Sequence, residues 1–230
     1  MKLILFDIDG TLIWPDGAGR LAMSRALAEV CGASGLADSL PMAGKTDWQI
    51  AAELLKAAGL DPAAVEAALP RCFEAVARHM LQTARERHLH PCAGVPQLLA
   101  RLSAHSQVVL GLLTGNLAMT APVKLRAAHL DPVLFRVGAY GSDGLHRSQL
   151  PAVAIARAEA LTGHVFRGKN VVILGDTPAD VTCGRHLGVI AVGVATGHHS
   201  QEVLSVAGAD YVFPDLSDTQ AVMQVLAPTD

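Results

Sequence analysis

Residues 2–11, KLILFDIDGT, join a short apolar run to two aspartates that are two residues apart. The run at residues 2–8 is typical of a buried parallel strand, which is almost continuously apolar because both of its faces are covered. The Asp-Gly-Thr sequence after it is typical of a turn. The segment therefore predicts a strand that presents Asp7 and Asp9 at its carboxyl end.

Later apolar segments repeat this pattern along the chain. Further strands are expected at residues 107–113, 170–174 and 189–194, with a weaker one at Tyr211–Phe213. Helices are expected after them, at residues 178–187, 201–207 and 217–226. Alternating strands and helices indicate an α/β fold with a doubly wound, Rossmann-like parallel sheet.

A helical insert interrupts the alternation between the first strand and His90. This stretch has Ala-rich and Leu-rich helical periodicity and no convincing strand. Its predicted helices are residues 20–31, 47–58 and 63–87, and a helix over residues 91–104 leads back to the sheet. The predicted domains are therefore an α/β core, residues 1–13 and 91–230, and an inserted helical domain, residues 14–90.

Composition limits the classes of protein to which the chain can belong. Its 230 residues are 51% apolar and 17% charged, which excludes a disordered chain. No apolar run reaches the ~20 residues of a membrane helix, and the N-terminal run is too short for a signal peptide. A net charge of -3 provides no broad basic surface for nucleic acid or an acidic membrane. We expect a cytoplasmic protein that acts on a small molecule.

Acidic and hydroxyl side chains follow three of the predicted strands, at the edge where open parallel sheets bind ligands. They are Asp7, Asp9, Thr11, Thr114, Asp176, Thr177 and Asp180. Four carboxylates at one edge would repel one another without a cation, and all-oxygen ligands favour a hard ion such as Mg²⁺. Because Mg²⁺ takes few carboxylates beside a substrate phosphate, we expect Asp7 and Asp176 as direct ligands, with Asp180 in support.

These motifs resemble those of the haloacid dehalogenase superfamily, specifically its phosphoglycolate phosphatase-like branch with a helical cap inserted after the first strand. The family's DxDGT motif corresponds to residues 7–11, its hydroxyl motif to Thr114 in LLTGN, and its GDxxxD motif to residues 175–180. Three motifs in this order, each after a predicted strand, form a specific signal. The resemblance implies that the insert is a cap domain and that the cofactor is Mg²⁺.

The resemblance also implies roles for individual residues. Asp7 would be the nucleophile that forms an aspartyl-phosphate, and Asp9 would protonate the leaving oxygen and later deprotonate water. Thr114 would hold phosphoryl oxygens at the start of a helix. The implied metal group is Asp7, Asp9, Asp176 and Asp180. The implied phosphate-binding group is Thr11, Thr114, Gly115, Asn116 and Arg147.

The third family motif departs from its usual form. It usually supplies a lysine, whereas the corresponding stretch here is GSDGLHRSQLP. We assign this catalytic cation to Arg147, whose guanidinium stays charged and can bind Asp7 and a phosphoryl oxygen bidentately; the alternative is a surface arginine beside a turn. Lys169 is the rival, but it precedes its strand and should lie at the opposite end of the sheet. Lys124, in the helix after Thr114, is expected to face solvent.

Three residues of the insert are candidates for substrate contacts: Arg20, Lys45 and Thr46. The last two lie in AGKTD, a glycine-bearing break between predicted helices. Arg20 or Lys45 could pair with a substrate carboxylate or second phosphate. For both, a solvated cation at a helix start is the alternative.

The expected activity is Mg²⁺-dependent hydrolysis of a small, phosphoglycolate-like phosphate monoester through an aspartyl-phosphate. A dehalogenase or a phosphonate hydrolase would depart from the motif at Asp9. A phosphomutase of the same superfamily keeps both aspartates and stays open as the alternative. A non-catalytic phosphoryl-binding module is disfavoured, because it should have lost one of the motif residues Asp7, Asp9, Thr114 and Asp176, and all are present.

Overall fold

A computed structural model describes residues 1–33 and 35–227 and has the expected α/β architecture. The strands are β1 (Lys2–Phe6), β2 (Ile13–Trp14), β3 (His90–Pro91), β4 (Val108–Leu113), β5 (Val137–Ala139), β6 (Val171–Gly175), β7 (Ile190–Val194) and β8 (Tyr211–Phe213). The α-helices are α1 (Ala18–Cys31), α2 (Leu36–Ser39), α3 (Asp47–Ala57), α4 (Pro62–Glu86), α5 (Val95–Ser103), α6 (Ala121–Ala127), α7 (Leu150–Thr162), α8 (Pro178–Cys183), α9 (Gln201–Val206) and α10 (Thr219–Leu226). Within the described ranges, none of these helices is long and apolar enough to cross a membrane. The fold class predicted from the sequence is confirmed, and the cytoplasmic location stays a prediction.

Six parallel strands form the central sheet in the order β5-β4-β1-β6-β7-β8. The chain starts in the middle at β1, builds outward through β4 and β5, and then crosses to the other side through β6, β7 and β8. The topological switch point therefore lies around β1, where Phe6 pairs with both Leu112 of β4 and Leu174 of β6. Ligands bind beyond the carboxyl ends of the strands at such a point.

The alternation of side chains along β1 builds a hydrophobic layer on each face of the sheet. Ile4 and Phe6 belong to a buried cluster that includes side chains of α5, α6 and α10. Leu3 and Leu5 belong to a second cluster, which includes side chains of α7. Helices thus cover both faces, which explains why the strand sequence is apolar without interruption.

The helical insert has a hydrophobic core of its own. Leu27 of α1, Leu54 of α3 and Val76 of α4 are buried together in one cluster. The antiparallel pair β2 and β3 joins the points where the chain leaves and re-enters the core. These strands coincide with the predicted limits at residues 13–14 and 90–91, and the division into two domains stays a prediction.

Several element boundaries differ from the prediction. β2 and β3 have two residues each and β5 has three, too few to give a periodic pattern. The helix expected from residue 91 begins at Val95 instead, because Pro91 belongs to β3 and Gly94 caps the helix in a left-handed conformation. The helix expected at residues 178–187 ends at Cys183, and a 3-10 turn at Arg185–Leu187 follows.

Candidate active site

The candidate site lies at the carboxyl ends of β1, β4 and β6. The backbone N–H of Asp7 donates to the carbonyl of Leu174 at 2.9 Å, which extends the pairing of β1 with β6 and brings Asp7 to the same edge as Asp176. The turn that follows requires glycine at residue 10. Gly10 has a φ of 81°, and a Cβ added there would lie 2.5 Å from Oδ2 of Asp176. The close approach of this turn to Asp176 explains the glycine of the DxDGT sequence.

Asp7, Asp176 and Asp180 form a buried acidic cluster. One carboxylate oxygen of each residue lies within 4.8 Å of the others, and none of the three residues is more than 6% exposed. The Thr11 hydroxyl donates to Oδ1 of Asp176 at 3.3 Å. Asp9 was expected in the metal group, but among the described residues its carboxylate is not part of this cluster.

Both carboxylate oxygens of Asp180 already have protein partners. Oδ1 accepts from Arg147, and Oδ2 accepts from the backbone N–H of Thr177 at 3.0 Å and from its hydroxyl at 2.6 Å. These contacts complete a capping box at the start of α8. The geometry suits the supporting role predicted for Asp180 and leaves Asp7 and Asp176 as the better placed cation ligands.

Arg147 lies against the acidic cluster. Its Nη2 is 2.9 Å from Oδ1 of Asp7, contacts Oδ1 of Asp180, and donates to the carbonyl of Leu113 at 3.2 Å. One nitrogen therefore makes all three contacts, whereas the sequence suggested a bidentate grip on Asp7 and a phosphoryl oxygen. Lys169, the rival cation, has a side chain that is 66% exposed and pairs with a surface aspartate at 3.3 Å. The structure thus places Arg147, not Lys169, beside the predicted nucleophile.

Burial and mutual repulsion shift the pKa values of the cluster. Burial raises the pKa of Asp7 to about 6. The charge of Arg147 lowers this pKa, whereas the charges of Asp180 and Asp9 raise it further. Burial and the charges of Asp180 and Asp7 raise the pKa of Asp176 to about 8. A divalent cation would relieve this repulsion, and the all-oxygen donor set fits Mg²⁺.

The loop at residues 114–116 follows β4 and, together with Asp7 and Arg147, lines a cavity between the insert and the core. Thr114 is fully buried, and its Oγ1 accepts from the side-chain amide of Asn116 at 2.8 Å and from its backbone N–H at 3.3 Å. The expectation that this loop opens a helix is wrong, because α6 begins only at Ala121. The helix dipole acts within the first turn, so phosphate binding here would depend on the side chains and backbone of the loop itself.

Lys124 is buried, which corrects the expectation that it faces solvent. It is 2% exposed, and its Nζ lies 2.6 Å from Oδ2 of Asp9. The periodicity of α6 indicates that Lys124 is buried, because it falls on the helix face that also carries the buried residues Ala121 and Leu125. A charged side chain on such a face requires a partner of opposite charge, which the half-buried Asp9 provides.

The predicted cap contacts have intramolecular partners. Arg20 Nη1 donates to carbonyl oxygens at the end of α2, including that of Leu40 at 3.0 Å. Lys45 Nζ pairs with Glu53 at 2.5 Å. Thr46 is fully buried, caps the N-terminus of α3, and donates to the carbonyl of Leu145, which lies outside the insert, at 2.7 Å. Arg20 and Lys45 line the cavity, so their contacts with substrate stay predictions, whereas Thr46 has a structural role.

Asp47 connects the insert to the loop after β4, a role that the sequence did not indicate. Its backbone N–H donates to the carbonyl of Gly115 at 2.7 Å, and its Oδ2 accepts from the N–H of Leu117 at 3.0 Å. Burial raises the pKa of Asp47 to about 6, while Lys124 lowers it and Asp9 raises it further. Its partner Leu117 is 70 residues away in the chain, so no local pattern marks this contact.

Asp47→Asn is expected to stabilise the protein increasingly as pH rises. The pKa of Asp47 is raised from 3.8 to about 6, so folding disfavours its ionised form, and the wild type loses stability as pH rises from about 4 through 6. The asparagine oxygen can still accept from the Leu117 N–H but carries no charge. In chemical denaturation between pH 4.5 and 7.5, the free energy of unfolding of the variant minus that of the wild type should grow by about 2 kcal/mol.

Asp61→Asn is the matched control, since Asp61 also lies at a helix start and also accepts a backbone N–H, but is exposed. The free energy of unfolding of Asp61→Asn minus that of the wild type should stay constant over the same pH range. A level difference for Asp47→Asn would contradict the burial of an ionised Asp47.

A cavity of about 510 Å³ lies between the insert and the core. Asp7, Thr114 and Arg147 line it on the core side, and apolar side chains such as Met23 and Ile50 line it on the side of the insert. Its volume is in the usual range for small-molecule sites, roughly 300–1,000 Å³. The acidic cluster, Arg147 and the loop after β4 therefore line one shared cavity.

The comparisons with known proteins identify the family. The chain belongs to the haloacid dehalogenase-like hydrolases, whose family model matches residues 4–185. It is therefore an enzyme of the hydrolase class, and the resemblance drawn from the motifs is confirmed. A search of the curated proteins finds no match.

Solved structures show the same fold over nearly the whole chain. A hydrolase from Pseudomonas syringae has 20% identity and a TM-score of 0.72, covering 99% of this chain and 100% of its own. A haloacid dehalogenase-like hydrolase from Streptococcus pneumoniae has 18% identity and a TM-score of 0.65, covering 97% of this chain and 99% of its own. CbbY from Rhodobacter sphaeroides, in complex with phosphate, has 16% identity and a TM-score of 0.69, covering 95% of this chain and 96% of its own. At these identities the likeness shows the fold alone.

Proposed function

We propose that this hydrolase is a Mg²⁺-dependent phosphatase that cleaves a small, phosphoglycolate-like phosphate monoester through an aspartyl-phosphate on Asp7. The observation that carries the proposal is the different surroundings of the two aspartates after β1. Asp7 lies in the acidic cluster against Arg147, whereas Asp9 lies outside it, against Lys124. This difference supports attack on phosphorus by Asp7 and proton transfer by Asp9.

In the first half-reaction, a carboxylate oxygen of Asp7 attacks phosphorus and the bond from phosphorus to the leaving oxygen breaks. Asp9 gives its proton to that oxygen, which leaves as an alcohol. In the second half-reaction, Asp9 takes a proton from water as the water oxygen attacks phosphorus. The bond between phosphorus and Asp7 then breaks, which releases inorganic phosphate and restores both carboxyl groups.

Arg147 and the loop at residues 114–116 supply the positive charge and donors for the phosphoryl oxygens. Nε of Arg147 is buried and has no hydrogen-bond partner among the described residues. Arg147 lines the cavity, as do Thr114, Gly115 and Asn116. Preorganised donors of this kind stabilise the charge that develops in phosphoryl transfer.

Asp7 and Asp176 would hold the Mg²⁺ ion, which supplies charge neutralisation for the carboxylates and the incoming phosphate. Asp180 would orient the site through Arg147 and Thr177, with which its oxygens already bond. The Asp9 side chain binds Lys124 at 2.6 Å and lies outside the acidic cluster, so we assign it to proton transfer and not to the ion. Residues 14–90 would act as the cap domain that closes the cavity over the leaving group.

Activity is expected to be lost when divalent cations are removed. The charges of Asp7, Asp176 and Asp180 and the phosphate dianion repel one another unless a cation neutralises them. Phosphate release should fall to background in excess chelator and return when Mg²⁺ is restored. Undiminished turnover in excess chelator would contradict the proposed metal dependence.

A phosphomutase remains the second candidate, because both Asp7 and Asp9 are present. The test is a screen of phosphorylated metabolites with Mg²⁺ that measures both inorganic phosphate and the position of phosphate on sugars. A phosphatase releases phosphate stoichiometrically. A mutase returns the phosphoryl group to a second hydroxyl of a sugar phosphate and releases little phosphate.

A further inference from the structure

We infer that Arg20 binds a carboxylate of the leaving group, so that the substrates are phosphate monoesters of small hydroxy acids. This inference rests on the proposed function and names the substrate class of the same site. Arg20 acts here as a specificity residue, which touches the substrate but not the reacting atoms.

Four lysine and arginine side chains line the cavity within the described part of the chain. Three of them pair with carboxylates of the protein: Lys45 with Glu53, Lys124 with Asp9, and Arg147 with Asp7 and Asp180. Arg20 is the fourth, and its polar contacts with the described residues are to backbone carbonyls alone. The cavity therefore contains one cation whose charge no described carboxylate balances.

The contacts of Arg20 hold its guanidinium in place without neutralising it. Nη1 donates to carbonyl oxygens at the end of α2, including those of Asp38 at 3.3 Å and Leu40 at 3.0 Å. Asp16 is the carboxylate nearest to Arg20 in the sequence and also lines the cavity, but its Oδ2 accepts from the backbone N–H of His88 at 3.0 Å. An anionic ligand in the cavity would supply the missing charge.

The geometry of the guanidinium favours a carboxylate as that ligand. With Nη1 occupied, the edge of Arg20 formed by Nε and Nη2 has no hydrogen-bond partner among the described residues. The two N–H groups of such an edge match the two oxygens of a carboxylate. A second phosphate would bring a larger negative charge beside Met23 and Ile50, which line the same cavity with apolar side chains.

The position of Arg20 places it on the side of the leaving group. Arg20 lies in the first turn of α1, and a Cβ added at the preceding Gly19 would lie 3.1 Å from Nζ of Lys124. Lys124 contacts Asp9, the residue proposed to protonate the leaving oxygen, at 2.6 Å. Helix α1 thus begins close to Asp9. A small hydroxy acid carries its carboxylate only a few bonds from the leaving oxygen, so one molecule can meet both Asp9 and Arg20.

The test compares matched substrates, namely 2-phosphoglycolate and 2-phospholactate, each with its own carboxamide, in the presence of Mg²⁺. Both members of a pair have an alkoxide leaving group and differ in the charge that Arg20 would bind. The wild type should hydrolyse each carboxylate with a kcat/KM about 10- to 100-fold above that of its amide, the usual contribution of a hydrogen bond to a charged group. In Arg20→Gln this ratio should fall to about one.

The ratio separates recognition from folding, because a loosened insert lowers the activity on both members of a pair alike. Arg25→Gln is the matched control, since it makes the same change on the same helix, where Arg25 pairs with Glu86 away from the cavity. It should leave the ratio and the turnover unchanged. If Arg20→Gln does not fold, Arg20→Lys replaces it. This variant keeps the charge and loses the two-pronged edge, so it should retain a part of the ratio.

Equal kcat/KM values for the two members of each pair in the wild type would overturn the inference and leave the proposed function intact. So would a wild-type ratio in a folded Arg20→Gln variant, or a ratio that Lys45→Gln abolishes and Arg20→Gln does not. An Arg20-dependent preference for a bisphosphorylated sugar over both carboxylates would overturn it as well. A wild-type enzyme that releases phosphate from no monoester, p-nitrophenyl phosphate included, would overturn the proposed function, and the inference with it.

Discussion

Asp7→Asn is expected to abolish the covalent intermediate for every substrate, whatever its leaving group. An amide is a poor nucleophile, so no bond to phosphorus can form at this position. With p-nitrophenyl phosphate, stopped-flow measurements should show no burst of nitrophenol. Acid quenching should trap no phosphoenzyme.

Asp9→Asn is expected to give the opposite pre-steady-state behaviour. Nitrophenolate departs without a proton, so the phosphoenzyme still forms, but the attacking water lacks its base. Loss of this assistance is worth on the order of 10²–10⁴-fold in the step where it acts. The variant should release nitrophenol in a burst near one equivalent per site and then turn over slowly.

The structure gives a reason why the two substitutions should be separable. Asp7 contacts Arg147 in the acidic cluster, whereas the Asp9 carboxylate binds Lys124 and Asn116 outside it. Each variant must first be shown to be folded and to bind Mg²⁺. A burst in Asp7→Asn together with neither burst nor phosphoenzyme in Asp9→Asn would show that the roles are assigned wrongly.

Arg147→Ala is expected to reduce kcat/KM by on the order of 10²–10³-fold, the usual cost of removing one preorganised donor from a charged transition state. The side chain is buried, and its Nη2 lies 2.9 Å from Asp7. Its removal also leaves Asp7 and Asp180 without their buried cation, which typically destabilises a protein by about 3–5 kcal/mol. Activity and the free energy of unfolding should therefore be measured on the same preparation, with and without Mg²⁺.

Arg147→Lys is the informative partner of this variant. The three polar contacts of Arg147 with described residues are all made by Nη2. A single ammonium group can therefore replace part of them, and a measurable part of the activity should remain. Lys169→Ala is the control, because the exposed Lys169 lies away from the cluster. A severe loss in Lys169→Ala with none in Arg147→Ala would show that the third motif was placed wrongly.

Local sequence patterns were sufficient to predict the strands that carry the site. Apolar runs of five to seven residues are direct consequences of burial on both sheet faces, and β1, β4, β6 and β7 lie where those runs indicated. The short strand β5 has three residues and no such pattern. The resemblance to one family followed from the spacing of motifs, because each motif directly follows a strand end.

The sequence by itself determined the fold class, the family and the position of Asp7 and Asp176 at one sheet edge, since these depend on periodicity and on residues next to strand ends. Only the tertiary structure showed that Lys124 pairs with Asp9 across 115 residues of sequence and that Asp47 binds Leu117 across 70. It also showed that Thr46 is a buried helix cap and that the loop after Thr114 does not open a helix. The contacts of Thr46 and Asp47 depend on how the insert packs on the core, and the pairing of Lys124 with Asp9 depends on how α6 packs within the core. In each case the partner lies far away in the sequence, where no local pattern can reveal it.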